Sequence, residues 1–126
     1  MPTVLIADDH PLFRKALRGT LRMAFADFEV TEANSLAEAR SRVTNDHDLV
    51  LLDLAMPDAA GFDALLTLRR LVPSVPIVVV SAYADIDTVR NAATYGAAGF
   101  IPKTASPNVI AGAIQGVLAG KRWWPQ

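Results

Sequence analysis

The 126-residue chain has no cysteine, which excludes a disulfide scaffold, thiol catalysis and cysteine-bound zinc. It also lacks an excess of either charge. Twelve lysines and arginines stand against 13 aspartates and glutamates, a net charge of −1 without a long basic run. Such a chain is not built to grip nucleic acid by itself. No apolar stretch approaches the roughly 18 residues of a membrane span. The opening MPTVLIADDH has no basic leader and meets acid directly after Val4–Ala7, unlike a signal peptide. No internal repeat or low-complexity segment is present, and nothing before Lys121 reads as a linker. What is present is apolar: 52% of residues are hydrophobic and 20% charged. A chain of this length and composition builds one domain with a real core. The expectation is a soluble, cytoplasmic protein with one domain over residues 1–120, and with residues 121–126 starting a linker or C-terminal tail.

Five short apolar runs read as strands: Thr3–Ala7, Phe28–Ala33, Leu49–Leu52, Pro76–Val80 and Gly99–Pro102. In three of them (VLIA, LVLL, IVVV) the apolar residues are continuous, which suits strands buried on both faces of a parallel sheet. Phe28–Ala33 and Gly99–Pro102 are less apolar and read as edges, the latter helped by Pro102, which cannot donate to a central ladder.

Helical spacing fills the intervals. The first helix starts at Pro11, with Phe13, Ala16, Leu17, Thr20 and Ala24 on one side. The second carries a capping box, Ser35 with Glu38, and turns Leu36, Ala39 and Val43 inward. The third spans about Gly61 to Leu71 with Phe62, Leu65 and Leu68 on one stripe. The fourth opens near Asp85 and ends before Gly96, which suits a left-handed cap. The fifth has Ser106 as cap, Pro107 in its first turn and Gly120 past its end. Strand and helix thus alternate five times, the pattern of an α/β fold with right-handed crossovers and helices on both faces of a doubly wound, five-stranded parallel sheet.

In such sheets ligands bind beyond the carboxyl ends of the strands. Asp8 and Asp9 follow the first run, Asp53 the third, Ser81 the fourth and Lys103 the fifth. Each has an ordinary reading. The acid pair suits the positive end of a helix, worth about 0.3–1 kcal/mol per charge; Asp53 suits a turn, Ser81 a loop cap, and Lys103 solvated surface. Their joint occurrence at four strand ends calls for chemistry instead. Three carboxylates at close range repel one another, and a hard divalent cation removes that conflict. Magnesium suits it best, being held by one or two carboxylates plus waters and phosphate. One aspartate is then free to attack phosphorus and form an acyl phosphate. The metal and Lys103 would neutralise charge on the transferred group, and Ser81 would donate a hydrogen bond to it.

With Asp8-Asp9, DLAMPDAAG from Asp53 to Gly61, Ser81-Ala82 and Phe100-Ile101-Pro102-Lys103 in this order and spacing, the chain resembles from end to end a receiver domain of a two-component response regulator. DDHPLFR (Asp8–Arg14) and KTASP (Lys103–Pro107) resemble the NarL/FixJ (LuxR-type) branch, which carries a C-terminal helix-turn-helix. The resemblance implies a flavodoxin-like (βα)5 fold with strand order 2-1-3-4-5. It implies that Asp53 accepts a phosphoryl group from a phosphohistidine on a sensor histidine kinase, without the chain being an enzyme beyond its own phosphorylation and dephosphorylation. Asp9, Asp53 and the backbone carbonyl of Ala55 would bind magnesium directly and Asp8 through water. Ser81 and Lys103 would hold the phosphoryl oxygens, and Phe100 matches an aromatic switch that turns inward as Ser81 moves. Ala55 and Tyr83 take positions that modulate attack of water on the acyl phosphate, Tyr83 by shielding it. Proline often follows the lysine in this family; here Thr104 follows and Pro102 precedes.

His10 adjoins the acid pair but reads as a helix cap or surface residue, because magnesium disfavours imidazole. His47, in the turn Asn45–Asp48, reads as solvated. The fifth helix has no charged side chain from Thr104 to Gly120. Ile110, Ala113, Ile114, Val117 and Leu118 are expected to face the sheet, leaving Val109, Gly112 and Gly116 outside for a second receiver or an output domain. Trp123 and Trp124 are costly to expose and are expected to pack back or begin a linker; DNA would be reached only through an output domain. Three other readings fit less well. A flavodoxin-like cofactor binder would need a glycine- and hydroxyl-rich loop where Asp8–Pro11 is acidic. A phosphatase with an aspartyl nucleophile would carry Asp-x-Asp after the first strand, where the aspartates are adjacent. A degenerate receiver serving only as an interaction module would not need the complete acid set.

Overall fold

A computed structural model describes residues 1–125. Its elements run β1 (Thr3–Ala7), α1 (Pro11–Ala24), β2 (Glu29–Ala33), α2 (Leu36–Arg42), β3 (Leu49–Leu52), α3 (Asp63–Leu71), β4 (Ile77–Ser81), α4 (Ile86–Thr94), β5 (Gly99–Pro102) and α5 (Pro107–Leu118). The strands form one parallel sheet in the order β2-β1-β3-β4-β5, the doubly wound, flavodoxin-like arrangement expected. Leu52 lies level with Ala7 on one side and Val79 on the other. The backbone ladder continues past the strand ends, from Asp8 N–H to Ala33 O (3.0 Å), Asp53 N–H to Ala7 O (2.8 Å) and Lys103 N–H to Ser81 O (2.8 Å). Those bonds hold three charged residues on one rim.

Alternate residues of the same strands feed two cores. Leu5, Val50, Leu52, Ile77, Val79 and Phe100 pack with α2, α3 and α4. Val4, Ile6, Leu51, Val78, Val80 and Ile101 pack with Leu17 and Leu21 of α1 and with Ile110, Ile114 and Val117 of α5. Burial on both sides explains why the central strands are continuously apolar. Of the outward positions read for α5, Val109 and Gly112 are exposed and Gly116 is half-buried.

The helix starts follow their caps. Ser35 Oγ accepts the Glu38 N–H, while the Glu38 carboxylate reaches back one residue further than a capping box requires, to Asn34 N–H at 2.8 Å. Asp85 and Ser106 cap α4 and α5 in the same way. Some boundaries differ from expectation. α3 begins at Asp63 because Gly61 has φ +55°, a left-handed conformation that cannot open a helix. β2 starts at Glu29, and β4 runs Ile77–Ser81, so Ser81 is the last strand residue, level with Pro102, rather than the first loop residue.

His47 is not solvated. Its ring is buried, with Nδ1 accepting the Thr44 N–H at 3.1 Å and Nε2 lying 3.4 Å from Thr31 Oγ1. The turn before β3 folds against β2, and the imidazole satisfies its backbone. Trp123 and Trp124 pack back, Trp123 against the α1/α5 core and Trp124 against the other.

Candidate functional site

The rim at the carboxyl ends of β1, β3, β4 and β5 brings together Asp8, Asp9, Asp53, Ser81 and Lys103. Asp8, Asp53 and Ser81 are buried, Asp9 and Lys103 partly so. Lys103 Nζ stands 3.1 Å from Asp53 Oδ2 and 2.9 Å from Asp8 Oδ2. Its ammonium also lies 4.5 Å from the centre of the Phe13 ring, a cation–π contact that steadies the long side chain. Asp53 Oδ1 accepts the Ala55 N–H at 2.9 Å, which fixes the carboxylate plane and turns Oδ2 toward the lysine. Ser81 Oγ accepts the Tyr83 N–H at 3.0 Å. The Tyr83 ring itself is 71% exposed, and Phe100 is fully buried in the core below α4.

His10 keeps the exposed position read for it, its side chain 58% accessible, but its ring also borders the acids. It occupies the cap position of α1 but makes no side-chain cap. Instead Nδ1 stands 3.0 Å from Asp8 Oδ1, 3.1 Å from Asp9 Oδ1 and 3.5 Å from Asp53 Oδ2. Three converging carboxylates attract the one ring nitrogen within reach. Ligand atoms of Asp8, Asp9, His10 and Asp53 all lie within 4.8 Å of one another. Asp8 Oδ2 and Asp9 Oδ1 are buried without an aligned hydrogen bond; Lys103 Nζ lies 2.9 Å from the first and His10 Nδ1 3.1 Å from the second, both out of alignment. Buried carboxylate oxygens lacking such partners fit a hard divalent cation.

Three residues support the site in roles that the sequence did not announce. Phe13 is the platform for Lys103. Arg14 donates from Nη1 to the Asp8 carbonyl at 2.6 Å and from Nε to Glu32 Oε1 at 2.9 Å, with Arg18 pairing the same glutamate. This ties the β1–α1 loop to β2. Asp58, inside the stretch that carries Asp53, accepts the Leu36 N–H at 2.8 Å and the Ala37 N–H at 3.0 Å, anchoring the β3–α3 loop to the start of α2. The signals were present, in DDHPLFR and in a second aspartate after Met56-Pro57, but their partners lie on other elements.

The Leu36 N–H first and the Ala37 N–H second hold the Asp58 carboxyl below its ordinary range. A lowered folded value stabilises the protein above the unfolded carboxylate range, near pH 4, and that contribution is lost as pH falls through the folded value. Asp58→Asn is therefore expected to lower the urea midpoint at pH 7 slightly and to weaken its decline below about pH 4. Identical midpoint-versus-pH curves for the two proteins would contradict this.

A family model described as the response regulator receiver domain matches residues 4–115. The chain belongs to the response regulator receiver family. It is 43% identical over 128 residues to a glycerol metabolism activator of Pseudomonas putida, covering 99% of this chain and 58% of that protein. It is 32% identical to the response regulator UvrY of Escherichia coli K12 over 98% of this chain and 57% of UvrY. A crystal structure of a LuxR family DNA-binding response regulator from Silicibacter pomeroyi superimposes with a TM-score of 0.85 at 34% identity, covering 100% of this chain and 98% of that one. These relatives put the receiver in the NarL/FixJ (LuxR-type) branch, among signalling proteins of two-component systems rather than a conventional enzyme family. The chain spans somewhat under three fifths of the length of the curated relatives it matches. Among the described residues, no helix is long and apolar enough to cross a membrane.

Proposed function

We propose that Asp53 accepts a phosphoryl group from a phosphohistidine on a sensor histidine kinase, in a magnesium-dependent reaction. The observation that supports this reading is the buried Asp53 Oδ2 facing Lys103 Nζ at 3.1 Å, beside two buried carboxylate oxygens without aligned hydrogen bonds. Oδ2 attacks phosphorus as the P–N bond breaks; its electron pair stays on the donor imidazole, which leaves neutral with its other nitrogen protonated. Lys103 and the Ser81 hydroxyl hold the phosphoryl oxygens. Asp9, Asp53 and the Ala55 carbonyl would hold magnesium directly and Asp8 through water, and the ion when bound neutralises charge on the transferred group. Hydrolysis of the acyl phosphate later returns the domain to its starting state. Ala55 and Tyr83 border the approach of that water, with Tyr83 able to shield the phosphorus.

Turning Ser81 Oγ toward the phosphoryl group costs its bond to Tyr83 N–H, which couples the acceptor to the β4–α4 loop and to Phe100. The signal leaves through the α4 to α5 side. One outlet is a homodimer through α5, whose outer face carries no charge; the other is a DNA-binding output domain beyond residues 121–126, giving transcription regulation in the cytoplasm. The glycerol metabolism activator and the DNA-binding regulator among the relatives are in keeping with that outlet.

Treatment with phosphoramidate and magnesium, followed by borohydride reduction and peptide mapping, tests the acceptor. Reduction is expected to convert residue 53, and no other aspartate, to homoserine. Conversion at Asp8 or Asp9 instead would overturn the assignment.

A further inference from the structure

The last described residues are seated on the sheet. Trp123 forms a parallel bridge with Gly99, and its carbonyl accepts the Phe100 N–H at 3.0 Å. The segment thus adds a rung to the outer edge of β5, which would otherwise be open to any extended chain. Trp123 and Trp124 straddle that edge, one ring packed on each core. Pro125 forms one wall of a groove whose other walls are Ala84, Ile86, Val89 and Arg90. Gly99 is shaped to this neighbour: a Cβ there would stand 2.9 Å from the Trp123 carbonyl oxygen, closer than packed atoms tolerate.

We infer that the β5 edge and the adjoining α4 groove are a docking seat for this chain's own Arg122–Pro125 segment, and that phosphorylation of Asp53 loosens the segment from it. The inference rests on Asp53 being the phosphoacceptor. Two strands of contact link the sites. Phe100, whose N–H holds Trp123, lies on β5, which directly precedes Lys103. Ala84 and Ile86, which line one groove together with Pro125, belong to the segment that Ser81 Oγ restrains through Tyr83 N–H. A Ser81 hydroxyl turned to a phosphoryl oxygen releases that restraint, and the seat for Pro125 shifts. Whatever follows residue 126 is then reached through a strap whose attachment depends on the acceptor. By linkage, a strap that loosens on phosphorylation must, when loosened first, favour phosphorylation.

Trp123 and Trp124 are the chain's two tryptophans, so emission excited selectively at the red edge of tryptophan absorption, where Tyr83 and Tyr95 do not absorb, reports on this segment. Acrylamide quenching of the full chain would be measured before and after phosphoramidate with magnesium, with intact mass read on the same samples. Quenching is expected to rise in step with the phosphoryl adduct and to stay constant in Asp53→Asn. Gly99→Ala is expected to show raised quenching without the donor and a higher adduct level than wild type at the same donor concentration and time. Trp124→Ala, which leaves β5 unaltered, is expected to act in the same direction with Trp123 as the reporter. An adduct with unchanged quenching would overturn the strap while leaving the acceptor intact. No adduct would overturn both.

Discussion

Lys103→Ala is expected to slow phosphoryl transfer to Asp53 by about 10²–10³-fold, the range seen when one preorganised donor to developing charge is removed. The ammonium stands 3.1 Å from Asp53 Oδ2 and is held there by Asp8 Oδ2, the Phe13 ring and a backbone bond from Lys103 N–H to Ser81 O. It needs no reorganisation to meet the incoming oxygens, so its loss falls on the transition state. A second consequence concerns the resting protein. Asp8 and Asp53 are nearly inaccessible to water, and without the lysine they face each other with no fixed cation. The variant should therefore be less stable than wild type and should gain more from magnesium, because the ion takes over the neutralisation. Quenched mass spectrometry gives the rate, and thermal midpoints with and without magnesium give the linkage. A rate within a factor of a few of wild type would remove Lys103 from the reaction.

Leu52→Ala is expected to cost about 3–5 kcal/mol, the range for truncating a leucine in a core that cannot collapse around the gap. Leu52 is fully buried, lies level with both Ala7 and Val79, and directly precedes Asp53. The loss is a large part of the roughly 5–15 kcal/mol that holds a domain together. Leu12→Ala provides the contrast. Leu12 is 83% exposed, and its truncation should stay within about 0.5 kcal/mol. Urea midpoints decide between them, and a Leu52→Ala shift no larger than that of Leu12→Ala would contradict the packing described for β3.

The parts of this architecture legible in the sequence are those set by local pattern. LVLL and IVVV announce strands with two buried faces, and Ser35 and Ser106 mark helix starts, because burial and capping act over a few residues. The site was legible for the same reason: Asp8, Asp53 and Lys103 each follow an apolar run directly, and a parallel sheet sends all such positions to one rim. Ser81 shows the limit, since its pairing with Pro102 on β5 extends β4 by one polar residue. His47 shows it more sharply. It turns into a buried turn because its partner Thr31 comes from a different strand, whereas His10 stays exposed beside its own neighbours Asp8 and Asp9 and meets Asp53 only at 3.5 Å. Arg14, which grips the Asp8 carbonyl and Glu32, and Asp58, which holds the first turn of α2, were hidden likewise. Polar side chains show no periodicity that would announce a tertiary partner.

The central claim is that this acid rim, with magnesium, drives a phosphoryl group onto Asp53. Its most direct test is intact mass after incubation with a small phosphodonor, with and without magnesium, for wild type and Asp53→Asn. One added phosphoryl group is predicted on wild type with magnesium, and none without the metal or in the variant. Equal adducts on wild type and Asp53→Asn, or an adduct on wild type indifferent to magnesium, would contradict the account.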